Sequence, residues 1–174
     1  MKIACVLAPD FEDSEFQKPF DAFTAAGHVV TIVGLEGGKQ LTGKRGDVTV
    51  TSDAGVTDVA DTDFEALFIP GGGSPDKLRA DMGMVSFTRA FFQDGRPVFA
   101  ICHGPQLMIT ARVYQDHRMT AWTTIQDDLR QLGADVVDEE VVVDRNLVTS
   151  RQPSDVEAFT REALALMEQV PAST

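Results

Sequence analysis

One stretch decides the fold of this 174-residue chain: Pro97-Val98-Phe99-Ala100-Ile101-Cys102-His103-Gly104-Pro105-Gln106, in which a short apolar run meets a Cys-His-Gly-Pro turn. Four apolar residues between Pro97 and the Gly-Pro pair predict a buried central strand of a parallel sheet. Pro105 suits the first turn of a helix, so the chain should pass sharply from strand to helix at Cys102. The helix dipole and the neighbouring His103 would favour thiolate over thiol there. We therefore interpret Cys102 as a nucleophile, although buried cysteines often serve only as small core residues.

The rest of the chain alternates between strand and helix patterns. Short runs rich in apolar residues predict strands at 3–7, 29–33, 66–69, 98–101 and 147–150, and further strands at 119–122, 136–137 and 140–143. The segment 40–51 is rich in Thr, Val and Gly and predicts one or two short peripheral strands. Helical patterns cover 13–26, 85–92, 105–111, 125–132 and a last helix that a capping box starts at Ser154. This alternation predicts a three-layer α/β/α sandwich around a doubly wound, mainly parallel, flavodoxin-like sheet. We expect a single domain over 1–174, with 169–174 as a frayed tail.

Loops after three of these strands should meet at one edge of the sheet. In doubly wound sheets, ligands bind at the carboxyl ends of the strands. The loops that follow Leu7, Ile69 and Ile101 place Glu12, the Gly71-Gly72 pair and Cys102-His103 in one neighbourhood. The glycine-rich loop lacks the phosphate-binding and dinucleotide-binding patterns, so we predict no cofactor. Its backbone N–H groups, with that of His103, are instead predicted to hold a developing oxyanion.

Composition narrows the range of functions. A net charge of −12 and a pI near 4.5 argue against nucleic-acid binding, which needs clustered Lys and Arg. No apolar run reaches the roughly 18 residues that span a bilayer, so we predict no membrane partner. Cys5 and Cys102 lie in different predicted strands, which indicates a reducing compartment and a cytoplasmic protein. Neither the HExxH nor the CxxC pattern occurs, and we predict no metal.

The segment Ala100-Ile101-Cys102-His103-Gly104-Pro105-Gln106 resembles the nucleophile turn of the ThiJ/PfpI family, within the class I glutamine amidotransferase-like superfamily. Further similar segments follow in the same order at 4–12, 69–72, 125–132 and 139–155. The resemblance covers most of the chain. It implies a sandwich fold with a nucleophile elbow at the cysteine and an oligomer, a dimer or a multiple of dimers.

The resemblance also implies roles for two acids. Phe11-Glu12-Asp13 matches the family segment whose glutamate contacts the nucleophilic sulfur, so Glu12 should lower the thiol pKa and take part in proton transfer. From the residues alone, Glu12 could equally be a carboxylate that stabilises a helix start. Asp76 matches the acid that a neighbouring subunit supplies to orient His103. It could equally be an ordinary acid in the first turn of a helix.

Three positions depart from the family pattern. Asp76 stands where a longer glutamate is usual, which weakens the Cys-His-acid arrangement that a peptidase needs. Trp122 stands where the family commonly has a tyrosine near the sulfur; we treat it as a candidate for the substrate pocket, with packing as the alternative. Its indole can donate a hydrogen bond but cannot transfer a proton. Gly73 replaces an arginine and removes a charge from the mouth of the site.

The sequence is compatible with three functions. The first is a glyoxalase or deglycase type of enzyme in which the Cys102 thiolate attacks a small reactive carbonyl or its glycation adduct, as some family members do without a cofactor. The second is an intracellular cysteine peptidase that cleaves a peptide substrate with Cys102, His103 and an acid from a neighbouring subunit. The third is a non-enzymatic stress protein, either a chaperone or a redox sensor in which Cys102 is oxidised.

Overall fold

The computed structural model describes residues 1–171, and a seven-stranded sheet forms its centre. Its strands are β1 (Lys2–Val6), β2 (Val29–Gly34), β5 (Ala54–Gly55), β6 (Ala66–Ile69), β7 (Val98–Ile101), β10 (Val141–Asp144) and β11 (Leu147–Ser150). They lie in the order β10-β11-β7-β6-β1-β2-β5. All neighbouring pairs are parallel except β10 with β11, which are antiparallel. The sheet is therefore mainly parallel, as the alternating sequence pattern predicts.

Helices cover both faces of this sheet. They are α1 (Asp13–Ala25), α2 (Ser74–Leu78), α3 (Met82–Gln93), α4 (Pro105–Ala111), α5 (Thr123–Gln131) and α6 (Val156–Gln169). Apolar residues of α2, α3, α4 and α5 pack on one face, and those of α1 and α6 pack on the other. Consecutive strand residues alternate between the two cores, with Ala100 in one and Ile101 in the other. The result is a three-layer α/β/α sandwich with the flavodoxin-like arrangement.

Two small sheets lie outside the central one. The hairpin of β3 (Gln40–Thr42) and β4 (Thr49–Thr51) is antiparallel, and β8 (Arg118–Met119) pairs in parallel with β9 (Asp135–Val136). The first confirms the one or two peripheral strands that Thr, Val and Gly predict at 40–51. The predicted strand at 119–122 is shorter and begins one residue earlier, because the chain enters α5 at Thr123.

The capping box predicted at Ser154 is wrong. A 3-10 turn at Pro153–Asp155 precedes α6, and the helix has no side-chain cap. The Asp155 carboxylate instead accepts hydrogen bonds from the backbone N and the Nε of Arg151, at 3.0 and 2.9 Å. The predicted tail also begins too early, because Gln169 still belongs to α6; the rest of it, 172–174, lies outside the described residues. Within residues 1–171, no helix has the length and apolar character needed to cross a membrane.

Candidate active site

Cys102 occupies a strained turn between β7 and α4. Its φ is 62°, a left-handed value that costs energy for a residue with a Cβ, so the surrounding structure must hold it. The Cys102 N–H donates to the Ser150 carbonyl at 2.9 Å, and the Gly104 N–H donates to the Ile101 carbonyl at 2.8 Å. A Cβ added to Gly104 would lie 2.8 Å from the Ile69 carbonyl oxygen. This tight packing gives the turn the geometry of a nucleophile elbow.

The loops after β1 and β6 are bonded to each other beside this turn. Phe11 and Gly72 form an isolated antiparallel bridge. The Glu12 N–H donates to the Gly71 carbonyl at 3.1 Å, and the Gly73 N–H donates to the Asp10 carbonyl at 2.7 Å. Gly72 has φ of 79°, and a Cβ there would lie 2.4 Å from the Glu12 nitrogen, so only glycine fits. The structure thus brings together the three loops that the sequence predicts to meet.

The Cys102 sulfur is less exposed than the sequence predicts. The residue is only 6% exposed, and burial raises the pKa of its thiol above the usual range, with a further increase from the negative charge of Glu15. The backbone N–H groups of Gly72 and His103 act in the opposite direction, because they stabilise the charged sulfur. The predicted preference for thiolate is therefore not what the resting site shows. The sulfur needs a nearby group that takes its proton.

Glu15, on the first turn of α1, is the acid that interacts with the sulfur. Its side chain is fully buried, and burial, followed by the negative charge of Glu12, raises its pKa to about 8. The Cys102 thiol and the Gly71 N–H lower this pKa in part. The carboxyl lies so close to the loop that a Cβ on Gly71 would be 2.4 Å from its Oε1 and 2.8 Å from the Cβ of Cys102. Glu15 is therefore placed to exchange a proton with Cys102 near neutral pH.

Glu12 does not make the sulfur contact that the family resemblance implies. Its carboxylate caps α1, accepting from the backbone N of Ser14 and of Glu15, both at 3.0 Å, and from the Ser14 hydroxyl. The Arg45 Nε donates to the other oxygen at 2.7 Å. Burial would raise the pKa of Glu12, but these hydrogen bonds lower it overall. In the structure Glu12 is therefore a carboxylate that stabilises the start of a helix, which is the other interpretation that the sequence allows.

The position of Glu15 in α1 is a sequence signal that the match of Phe11-Glu12-Asp13 to the family segment does not include. The buried residues of α1 include Glu15, Phe16, Pro19 and Phe23, which lie on one face of the helix. An acid on an apolar face is costly unless it is paired or protonated. Such a position is a common feature of functional carboxyls.

His103 and Trp122 form one wall of the site. The His103 Nδ1 lies 3.2 Å from the Cys102 sulfur, so the ring does face its chain neighbour. The indole of Trp122 stacks on the imidazole with ring centroids 6.2 Å apart and planes inclined by 23°. The backbone N–H of Trp122 also donates to the Cys102 carbonyl at 3.0 Å. Burial, and then the positive charge of Lys44, lower the pKa of His103. His103 is thus mainly neutral at pH 7.

Asp76 lies at the rim, away from direct contact with His103. Its side chain is 66% exposed and pairs with Arg79, with 3.0 Å between the Asp76 Oδ1 and the Arg79 Nη2. Its charge still raises the pKa of His103. The predicted role of Asp76 as an acid supplied by a neighbouring subunit stays a prediction.

A fourth element, the β3–β4 hairpin, also reaches the site. Arg45 binds Glu12, and the charge of Lys44 acts on both Glu15 and His103. The sequence predicts the strands of this hairpin but gives no signal for where its turn docks. Together the site offers a thiol, a titrating carboxyl, a neutral imidazole and two backbone N–H donors around one sulfur. Within 1–171, no group of three or more His, Cys, Asp or Glu side chains is arranged to hold a metal ion.

Comparisons with known proteins agree with this fold and identify the family. The chain is 54% identical over 169 residues to general stress protein 18 of Bacillus subtilis, covering 97% of this chain and 98% of that protein. It is 50% identical over 167 residues to protein/nucleic acid deglycase 2 of Escherichia coli, covering 95% and 97%. A two-domain protein of Anabaena variabilis, with DJ-1/ThiJ/PfpI-like and ferritin-like domains, superposes with a TM-score of 0.93 at 34% identity, over 98% of this chain and 50% of that one. The DJ-1/PfpI family model matches residues 1–166, and the chain therefore belongs to the DJ-1/PfpI family.

Proposed function

We propose that this protein is a cysteine-dependent enzyme that acts on small reactive carbonyls or their glycation adducts, with Cys102 as the nucleophile. The observation that carries the proposal is the Glu15 carboxyl, whose pKa of about 8 lets it exchange a proton beside the sulfur at neutral pH. The half-identical deglycase 2 of Escherichia coli supports the same class of chemistry. No cofactor is needed in this scheme.

The chemistry can be followed on methylglyoxal. In the fraction of molecules in which Glu15 is ionised, its carboxylate takes the thiol proton. The sulfur adds to the aldehyde carbon, and the proton passes to the aldehyde oxygen to give a hemithioacetal. A second proton leaves the former aldehyde carbon and returns at the neighbouring carbon, which produces the thioester of lactate. Water then hydrolyses the thioester, releasing lactate and the Cys102 thiol. The backbone N–H groups of Gly72 and His103 are the donors for the oxygen that gains charge.

Glu15 and His103 share the proton transfers in this scheme. A carboxyl with a pKa near the working pH can accept and return protons without a large free-energy cost. The His103 imidazole has its Nδ1 3.2 Å from the sulfur and is mainly neutral at pH 7, so it can accept the second proton from the former aldehyde carbon and return it to the neighbouring carbon. The stacked Trp122 keeps the imidazole in this orientation. Each step therefore has a group of suitable charge within reach.

The two other functions have less support from the geometry. A peptidase needs an acid that orients His103, and within the described part of this chain Asp76 is exposed and paired with Arg79. A redox sensor reacts through an accessible thiolate, whereas Cys102 is 6% exposed with a raised thiol pKa. Assembly into dimers remains part of the proposal through the family, and the carbonyl chemistry does not depend on it.

The test is lactate formation from methylglyoxal by the native protein, Cys102→Ala and Cys5→Ala, in a buffer without amines or added thiols. Cys5→Ala is the matched control, because Cys5 is the other free cysteine and is fully buried in β1. Circular dichroism would verify that each variant is folded. We expect lactate from the native protein and from Cys5→Ala, and none from Cys102→Ala. Equal rates in all three would sink the proposal for this substrate.

A further inference from the structure

The turn of the β3–β4 hairpin is fixed rigidly to the start of α1. The Asp13 carboxylate accepts hydrogen bonds from three backbone N–H groups of the turn, those of Arg45, Asp47 and Val48, at 2.9, 3.0 and 2.9 Å. A Cβ on Gly43 would lie 2.4 Å from this carboxylate, so the turn packs directly against it. Residue 44 is thereby held beside Phe11, whose carbonyl accepts from the Lys44 N–H at 2.8 Å.

The turn presents a positive charge at the mouth of the site. Lys44 is hydrogen-bonded through its N–H to Phe11, which forms a bridge with Gly72 in the loop beside the sulfur. From this position its charge lowers the pKa of both Glu15 and His103. Its side chain is exposed, and among the described residues no acid lies within ion-pair distance of it. The neighbouring cations are already engaged: Arg45 with Glu12 at 2.7 Å, and Lys77 with Asp10 at 2.8 Å. Lys44 is thus the cation at this rim that is available to a ligand.

A cation in this position changes which molecules reach Cys102. The chain as a whole carries a net charge of −12, a field that disfavours the approach of anions. Glu12, at the start of α1, adds negative charge near the site, and Glu15 adds more beside the sulfur when it is ionised. A single lysine at the mouth offsets this locally, because charges interact strongly over a few ångströms at a partly dehydrated surface. Neutral carbonyl compounds would gain nothing from such an arrangement, whereas anionic ones would.

We propose that Lys44 is a specificity-determining residue that selects, for reaction at Cys102, carbonyl compounds that carry a carboxylate next to the reacting carbon. This inference rests on the proposed function, in which Cys102 reacts with a carbonyl carbon, and it adds that the preferred substrate is an anion. The ammonium of Lys44 receives the carboxylate while the sulfur adds to the carbonyl carbon. The thiol proton passes to the carbonyl oxygen, so the adduct is a hemithioacetal or hemithioketal that retains the carboxylate.

Two alkylating reagents of similar size test the charge preference at the sulfur itself. Iodoacetate is anionic and iodoacetamide is neutral; in both cases the sulfur displaces iodide and forms one C–S bond. The ratio of their rates at Cys102, followed by mass spectrometry of the Cys102 peptide, isolates the effect of charge. Cys5 does not interfere, because it is fully buried. We expect Lys44→Gln to lower the iodoacetate-to-iodoacetamide ratio by about 3-fold to 10-fold at low salt, and Lys44→Arg to restore it.

The matched control is Lys39→Gln. Lys39 is exposed, directly precedes β3 and pairs with Glu36 at 3.4 Å. Its replacement therefore causes the same change in net charge at a lysine that is already paired. A second readout uses reversible carbonyl probes: glyoxylate, which carries the carboxylate, and glycolaldehyde, which is neutral, each protect Cys102 from iodoacetamide. Lys44→Gln should weaken protection by glyoxylate and leave that by glycolaldehyde unchanged.

The outcomes separate this inference from the proposed function. A rate ratio that is the same in the native protein and Lys44→Gln, or that falls equally in Lys39→Gln, overturns the role of Lys44. Because alkylation requires no turnover, this result is independent of whether the native protein makes lactate. A lowered ratio with loss of glyoxylate protection supports the inference. If Lys44→Gln weakens the reaction with the anionic probes but the native protein forms no lactate, only the methylglyoxal reaction is rejected.

Discussion

The Glu15 carboxyl and the Cys102 thiol form a buried pair in which the charge of Glu15 raises the pKa of the thiol, whereas the thiol lowers the pKa of Glu15. Glu15 is on α1, Cys102 is at the end of β7, and Gly71 lies between them, too close to either to carry a side chain. Burial is the largest cause of both pKa shifts, because ionising either group away from water costs free energy. Below about pH 8 both groups are therefore mainly protonated, and the carboxyl is the first of the two to lose its proton as the pH rises.

The Glu15→Gln variant should separate thiol reactivity from turnover. Below pH 8 the native carboxyl is mainly protonated, so glutamine should change the alkylation of Cys102 by iodoacetamide little. Above pH 8 the native carboxylate keeps the thiol protonated, and the variant should react faster. Turnover of methylglyoxal should fall by about 100-fold or more at every pH, since glutamine cannot transfer a proton. Rates of both reactions between pH 6 and 10 measure this.

The comparison variant is Glu12→Gln, which removes a carboxylate that caps α1 and leaves the one at the sulfur. It should retain most of the turnover of the native protein. A larger loss of turnover in Glu12→Gln than in Glu15→Gln would return the proton-transfer role to Glu12.

The stability of the fold should depend on the pH through Glu15. The unfolded chain releases this proton near pH 4.5, whereas the folded protein keeps it up to about pH 8. Between these values the free energy of unfolding falls as the pH rises, by about 1.4 kcal/mol per pH unit from this group alone. Glu15→Gln removes that loss, so its stability advantage over the native protein should grow from pH 5 to pH 8. Urea denaturation at several pH values measures it.

An exposed acid of α6 provides the control for that experiment. Glu157→Gln should follow the pH dependence of the native protein, since Glu157 is exposed and Glu15 remains in place. A stability difference between Glu15→Gln and the native protein that is constant from pH 5 to pH 8 would contradict the raised pKa.

The fold was predictable where the residue types of a short segment determine whether it is buried in the sheet. The apolar runs 66–69 and 98–101 have no polar interruptions, and each is a fully buried strand with the predicted bounds. The stretch 147–150, which ends in Thr149 and Ser150, is also a fully buried strand with the predicted bounds. The choice between Glu12 and Glu15 was different, because both acids stand at the start of the same helix. Only the packing of α1 against the loop at Gly71 decides which carboxyl meets the sulfur. The docking of the β3–β4 turn likewise depends on Asp13, which is distant in sequence.

Gly71→Ala should remove activity without unfolding the protein. The new methyl group would lie 2.4 Å from the Glu15 Oε1 and 2.8 Å from both the Cys102 Cβ and the Ile101 carbonyl, so the acid and the sulfur must separate. We expect at least a 100-fold loss of turnover, on the scale that misplaced reacting groups cause. Gly83→Ala, on the exposed start of α3, is the control and should keep full activity. Normal turnover in Gly71→Ala would show that the contact between the two groups is dispensable.

Asp13→Asn should loosen the hairpin turn. An asparagine has one oxygen in place of the two that accept from three backbone N–H groups, so at least one partly buried donor loses its partner. We expect a loss of about 2 kcal/mol in the free energy of unfolding and faster proteolysis between residues 40 and 51. Asp21→Asn, an exposed change on the same helix, should cost much less. Equal stability of the two variants would show that Asp13 does not hold the turn.

The pH dependence of this clamp has a defined sign. Burial opposes ionisation of Asp13, but the hydrogen bonds from the hairpin backbone lower its pKa below 3.8. A group with a lowered pKa stabilises the fold above the unfolded value and loses that contribution as the pH falls. The difference in stability between native protein and Asp13→Asn should therefore shrink below about pH 4.

The fluorescence of Trp122 should report the protonation of His103. It is the single tryptophan of the chain, and its indole stacks on the His103 ring. A protonated imidazole quenches indole fluorescence, so lowering the pH should produce a step in emission with a midpoint below 6.5, because burial and Lys44 lower the pKa of His103. Lys44→Gln should move the midpoint upward and Asp76→Asn should move it downward. His103→Gln should abolish the step, and a step that persists in that variant would mean that the indole reports on a different group.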